Sequence, residues 1–441
     1  MSPPESTIEE YEILDLLTTL VDKSLVAYDD ATGRYRLLET VRQFGRDRLL
    51  ESAGSETVFG RHLECFLGLA EQAQQGLFGP EQRAWLDRLE REHDNLRAAL
   101  AWSEAHERGD AGLRLGAALW RFWSVRGYLA EGRERLRSAL LHPAASAPTV
   151  ERAKALDGAG LLAMNCYDFT AASALYEEAL SIGRELGAGR VIAMACNSLG
   201  DSRRYEGDGG TARSLYDEAL RFGREVDDQW DVAYALTALG IMAIGECSFA
   251  EARSLLEEGL AIKRALGDKR SIAYSLVQLA DLALAEETTS EARSLYEESL
   301  VIRRELGDKR WIALSLSSLG SLDEADGDFM AARARLAESA AIFVEVGDRN
   351  SGADNLKRVA QSAAVQGQSR LAARIFGAAE RLREHPESVV SPADVPRQDS
   401  SVAGVRDVLG EAEFEEAWKE GRAMTLEQAI EFALSEADEH T

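Results

Sequence analysis

The chain has 441 residues, 45% of them apolar and 29% charged, a composition that supports a sizeable core and excludes global disorder. Its formal net charge of -26 argues against a chain-wide surface for nucleic acid or anionic lipid, because neutralising phosphates takes an excess of Lys and Arg. Cys65, Cys166, Cys196 and Cys247 are far apart and form no CxxC pair, so buried free thiols are expected rather than a disulfide framework or a zinc site. The N-terminus lacks the basic-then-apolar pattern of a signal peptide, and no run of about 18 apolar residues occurs. These features predict a cytoplasmic protein with no membrane partner.

Residues 1–53 form the first segment. Ile13, Leu14, Leu16, Leu17, Leu20 and Val21 predict an amphipathic helix, and Ser24–Tyr28 and Tyr35–Leu38 predict strands around the turn-forming Asp29–Gly33. Thr40 is placed to cap the helix that follows, through Phe44 and Leu49. Residues 54–110 read as a helical linker or degenerate repeat.

Residues 111–383 read as a repeat array. Cutting at 151, 191, 231, 271, 311 and 351 gives six blocks of 40 residues that align without gaps. The third position is always alanine (Ala153, Ala193, Ala233, Ala273, Ala313, Ala353), as is the twenty-second (Ala172, Ala212, Ala252, Ala292, Ala332, Ala372). The tenth is Gly160, Gly200, Gly240, Ala280, Gly320 and Ala360, small enough for close helix contact. Each block carries two apolar stripes at helical spacing separated by a polar corner, which predicts one helical hairpin per block. Gly187, Gly267, Gly307 and Gly347 recur at one position and predict left-handed helix ends. Residues 111–150, with the aromatic cluster Trp120, Phe122 and Trp123, read as a seventh, degenerate hairpin. Such hairpins bury their apolar faces only by stacking, so the expected fold is all-α: a repeat superhelix after a small α/β segment. Residues 384–401 hold three prolines and read as a loop, and 402–441 as a helical cap in which Thr425 and Gln428 form a capping box.

The repeated small residues and Ala-Leu-x-Ile closes resemble tetratricopeptide repeats lengthened from about 34 to 40 residues. Leu20-Val-Asp-Lys-Ser-Leu-Val26 and Tyr35-Arg-Leu-Leu-Glu-Thr-Val-Arg42 resemble the second half of the winged helix in bacterial STAND-type regulatory ATPases, including LuxR- or SARP-like regulators. Glu90-Arg-Glu-His-Asp-Asn-Leu-Arg-Ala-Ala-Leu100 and Phe414-Glu-Glu-Ala-Trp-Lys-Glu-Gly-Arg-Ala-Met-Thr-Leu-Glu-Gln-Ala429 are similar to later parts of that family. The resemblance implies a partial winged helix and a sensor array, with a STAND ATPase domain or a transcription regulator among the partners. No G-x-x-x-x-G-K-[ST] loop occurs, so no nucleotide cradle and no ATP hydrolysis are expected. Leu38 stands where related eukaryotic proteins carry a nucleotide-sensing histidine.

No chemistry declares itself. His62, His93, His106, His142, His385 and His440 are dispersed; His62 and Cys65 make at most two metal ligands; there is no Gly-x-Ser-x-Gly elbow. Pairs such as Glu257-Glu258 and Glu297-Glu298 read as solvated faces, so neither an enzyme nor a cofactor is expected. Specificity is therefore expected in a groove binding a protein or peptide partner. The tetratricopeptide resemblance implies that Asn197, Asp201, Arg204, Tyr234, Thr237, Tyr274, Asp281 and Ser317 line it. Tyr216 and Tyr296 read as core residues. The alternative is a DNA-binding regulator that contacts phosphates, or docks, through Arg34, Arg36, Arg42 and Arg46.

Overall fold

The computed structural model describes residues 10–30, 33–52, 54–106, 108–384 and 400–434. Its contacts divide the chain into two compact units, residues 1–65 and 66–441.

In the first unit, α1 (Glu10–Asp22) leads into an antiparallel pair, β1 (Val26–Asp29) and β2 (Arg34–Leu37), then α2 (Glu39–Leu50) and the start of α3 (Ser55–Gly76). Val26 pairs with Leu37 and Asp29 with Arg34. Gly33 takes a left-handed φ of 66°, and its N–H donates to the Asp29 carbonyl at 2.8 Å; Ala31 and Thr32 of the predicted turn lie outside the described residues. Thr40 does not cap α2. The helix starts two residues earlier, with Leu38 at the cap position and no side-chain cap, so Thr40 sits inside the first turn. The predicted apolar stripe on α1 is present, but Ile13, Leu14 and Leu16 are exposed, as are Leu37, Leu38 and Phe44. A two-stranded sheet offers too little area to cover two helices.

The second unit continues with α4 (Gln82–Arg91) and α5 (His93–Ala105), then seven helical hairpins. These are α6 (Gly109–Arg126) with α7 (Leu129–Leu141), α8 (Val150–Asn165) with α9 (Phe169–Leu186), and α10 (Gly189–Tyr205) with α11 (Gly209–Glu225). Next come α12 (Gln229–Gly245) with α13 (Phe249–Leu266), α14 (Lys269–Ala285) with α15 (Thr289–Leu306), α16 (Lys309–Asp326) with α17 (Phe329–Glu345), and α18 (Arg349–Val365) with α19 (Ser369–Arg383). A cap of α20 (Ser400–Leu409), α21 (Glu411–Ala423) and α22 (Leu426–Leu434) ends it. Most of the predicted loop between α19 and α20 lies outside the described residues.

Twelve repeated alanines, two per block, are all buried. The small residue at the tenth position receives the large one at the twenty-sixth: a Cβ added to Gly160 would lie 2.4 Å from the Tyr176 ring, and one added to Gly200 2.6 Å from Tyr216. This fit sets the helix spacing within each hairpin. Gly187, Gly267, Gly307 and Gly347 are all left-handed, as predicted. Asp227 takes the same conformation at the equivalent place, and Tyr167, Cys247 and Glu287 do so at the corner inside their hairpins, where Gly207, Gly327 and Gly367 stand in others. In the cap, α21 reaches the array backbone to backbone, because Gly377 faces Trp418 and Gly421 faces the Arg374 carbonyl. Thr425 and Gln428 form the predicted reciprocal capping box, at 2.9 and 3.2 Å.

Candidate functional site

From α8 to α14 the first helices of successive hairpins approach one another. No two second helices do so comparably among the described residues, so the first helices form the inner wall of the curve. The wall's most concentrated set of polar and aromatic side chains lies on α10, α12 and α14. Asp201 on α10 accepts hydrogen bonds from the Tyr216 hydroxyl at 2.7 Å and from the Tyr234 hydroxyl on α12. Arg204, one turn along α10, reaches Asp201 at 3.5 Å and lies 4.4 Å over the Tyr205 ring. Tyr274 on α14 stands in the field of this group, edge-on to Trp311 at 5.6 Å.

Burial and the Asp201 carboxylate raise the Tyr234 and Tyr274 phenols above their ordinary range, so both remain neutral donors. Burial opposes the Arg204 charge, but the pull of Asp201, joined by those of Tyr216 and Tyr274, together outweighs it and holds the guanidinium above its ordinary value. The arrangement offers one fixed cation, neutral hydroxyls and aromatic faces. These groups suit hydrogen bonding and stacking, and contain no paired nucleophile and base.

The structure therefore gathers Asp201, Arg204, Tyr234 and Tyr274. Asp281 stands apart, accepting from Tyr296, and Ser317 is held by Asn355 at 3.0 Å and Arg358 at 3.1 Å. Asn197 and Thr237 do not face solvent. Asn197 is 2% exposed and donates to Asp231; Thr237 is 1% exposed and accepts from the Lys263 ammonium at 2.7 Å. Tyr216 and Tyr296 are core residues whose hydroxyls nevertheless reach the wall. In the first unit, Arg36 and Arg46 are exposed, Arg42 is bidentate on Glu39, and Arg34 stands opposite Asp29.

Four buried cations, Arg121, Lys263, Arg303 and Arg333, carried no expectation from the sequence, and two of them share one register position. The thirty-third block position reads Gly183, Gly223, Lys263, Arg303 and Phe343 in the first five blocks, all buried, and a half-buried Arg383 in the sixth. Lys263 bonds the Thr237 and Ser275 hydroxyls, and Arg303 bonds Ser299 and the Ala273 carbonyl under the Trp311 ring. A charged residue at an interior register position was the available signal. Of the thiols, only Cys196 is fully buried; Cys166 is half-buried and Cys65 and Cys247 are exposed, correcting the expectation for those three. Glu257, Glu258, Glu297 and Glu298 are solvent-facing. Among the described residues no group of three metal-binding side chains occurs, and no helix is long and apolar enough to cross a membrane.

No family model matches the chain. Relatives from Mycobacterium bovis and Mycobacterium tuberculosis, provisionally described as HTH-type transcriptional regulators, are 36% identical over 213 residues. That match covers 46% of this chain and 24% of theirs, so the chain spans about a quarter of the relatives' length. Among solved structures, the chain is similar to a signal transduction ATPase with numerous domains (STAND) protein with a tetratricopeptide repeat sensor from Pyrococcus horikoshii. The TM-score is 0.54 at 14% identity, covering 94% of this chain and 59% of that one. A Rap protein complexed with Competence and Sporulation Factor gives a TM-score of 0.53 at 12% identity, over 86% of this chain and 96% of that one. At these identities the likeness is one of fold. The fold is all-α, a superhelix of tetratricopeptide type with a small two-stranded segment near its N-terminus.

Proposed function

We propose that this protein is a non-catalytic interaction module that binds a protein or peptide segment on the inner wall of its array. On this reading it serves as the sensor or scaffold part of a bacterial signalling or transcription-regulatory system of STAND-like type, in the cytoplasm. The observation that carries it is the convergence of Asp201, Arg204, Tyr234 and Tyr274 from three successive first helices. Their mixed donors, acceptors and rings match an extended or helical segment better than a small reacting substrate. The two structural neighbours, one with a repeat sensor and one a Rap protein with a bound factor, support the same direction.

The test is retention of partners from native lysate on the intact chain and on an Arg204→Glu, Tyr274→Ala variant with unchanged circular dichroism. A protein held by the first and lost by the second, and cross-linking to α10–α14, is the expected result. Equal retention by both sinks the reading. A second reading, DNA contact by the first unit, is favoured by the exposed Arg36 and Arg46 and by the description of the mycobacterial relatives. It predicts salt-dependent DNA binding that Arg36→Ala, Arg46→Ala removes.

A further inference from the structure

The hairpins are tied along one rim by a repeated ion pair. Arg190 reaches Asp228 at 2.7 Å, Arg270 reaches Asp308 at 3.1 Å, and Arg310 reaches Asp348 at 3.0 Å, each arginine pairing with the aspartate at the next inter-hairpin turn. One rung is different. Trp230 stands where the pattern calls for arginine, and Asp268, which that arginine would meet, is 0% exposed.

A distant residue takes the place. Arg121 of α6, 3% exposed, donates to both Asp268 carboxylate oxygens at 2.8 and 2.9 Å, while the Trp230 indole N–H donates to the same group at 3.0 Å. The Arg121 guanidinium lies 3.9 Å over the Phe78 ring, which meets Trp230 edge-on at 5.3 Å. Gln82 donates to Asp268 and to the Leu77 carbonyl and accepts from the Arg270 backbone N–H at 3.0 Å. Arg270 also donates to Ser124 at 3.2 Å. Pro80 abuts Gly267 so closely that a Cβ there would lie 3.2 Å from its ring.

We infer that residues 77–82 and the second half of α6 form a clasp on the Asp268 rung, and that its opening regulates access to the inner wall by loosening the curve between α6 and α14. The part concerning access rests on the function proposed above; the clasp does not. The missing arginine at position 230 is what makes room for Arg121, so the contact is built into the repeat rather than incidental to it. The seam is mostly polar. Its Coulomb gain is largely offset by desolvation, and Arg121, Asp268 and Gln82 regain water when it opens. The surrounding hairpins are joined by apolar cores that have no such compensation.

The experiment is hydrogen exchange by mass spectrometry on the full chain and on Trp230→Arg and Arg121→Ala. Trp230→Arg restores the rung's own cation and leaves Asp268 partnered, so the array stays folded while Arg121 is displaced. The expected result in both variants is exchange about tenfold faster or more in residues 77–91, with α16–α19 unchanged. Unchanged exchange in 77–91 in a folded variant overturns the clasp; acceleration spread evenly over all hairpins overturns it too, since the contact would then be ordinary packing. No partner is needed for this readout. Partner binding on the inner wall with an unchanged clasp would keep the proposed function and end this inference.

Discussion

Replacing Lys263 by methionine should stabilise the array, and by an amount that depends on pH. Lys263 is 3% exposed, donates to two hydroxyls, and among the described residues meets no carboxylate within ion-pair distance. Burial lowers its ammonium to about 7, against a modest opposing pull from Asp268. Displacement from the ordinary 10.5 to about 7 corresponds to roughly 5 kcal/mol between the two protonation states. Below pH 7 both folded and unfolded chains are charged, and the folded state carries the whole penalty. Between 7 and 10.5 the folded amine is neutral and the unfolded one charged, so unfolding takes up a proton and wild-type stability climbs by about 1.4 kcal/mol per pH unit. Above 10.5 the penalty is gone. The methionine loses two hydrogen bonds to hydroxyls, worth roughly 1 kcal/mol each, leaving a net gain of roughly 2–3 kcal/mol at pH 6. Urea denaturation of both proteins at pH 6, 7, 8 and 9.5, followed by far-ultraviolet ellipticity, reads the difference. A wild-type-minus-variant difference that stays flat from pH 7 to 9.5 would refute the argument.

Asp157 on α8 gives the opposite slope. Burial pushes its carboxyl up to about 7, so the folded state holds a proton from roughly pH 4 to 7 that the unfolded state has released. Its contribution is full at pH 4 and disappears as pH rises to 7; Asp157→Asn should abolish that decline in urea denaturation of both proteins at pH 4, 5, 6 and 7. Gly421→Ala places a Cβ 1.8 Å from the Arg374 carbonyl oxygen, a clash that no side-chain rotation relieves. The expected cost is about 3 kcal/mol, at the upper end for overpacking, seen as faster hydrogen exchange in α20–α22 with α8–α13 unaffected.

The hairpins could be read from the sequence because their fit rests on residue size at fixed spacing. Ala153 and its five equivalents admit no larger side chain, and Gly200 leaves room for Tyr216. Backbone shape was legible only where glycine announced it: Asp227, Cys247 and Glu287 adopt left-handed conformations because the helices on both sides impose them. The inner wall was half legible. Asp201, Arg204, Tyr234 and Tyr274 meet, but Asn197 and Thr237 point into the core, where Asn197 donates to Asp231 and Thr237 accepts from Lys263. A polar residue on a helix face looks the same in sequence whether its partner is water or a buried side chain. Arg121 and Asp268 are 147 residues apart, beyond any local periodicity, and the only sequence trace of their pairing is a tryptophan in an arginine's place.

The same pairing constrains how this chain can change in length. Three complete hairpins, α8 through α13, separate α6 from the turn that carries Asp268. Duplicating or deleting one 40-residue unit in that interval would carry Asp268 along the superhelix by one step of rise and rotation, and Arg121 would face a different rung already occupied by its own arginine. Repeat arrays ordinarily gain and lose units by recombination between near-identical blocks. Here the interval behaves like a ring with a fixed number of members, and a lineage can lengthen or shorten the array only outside it.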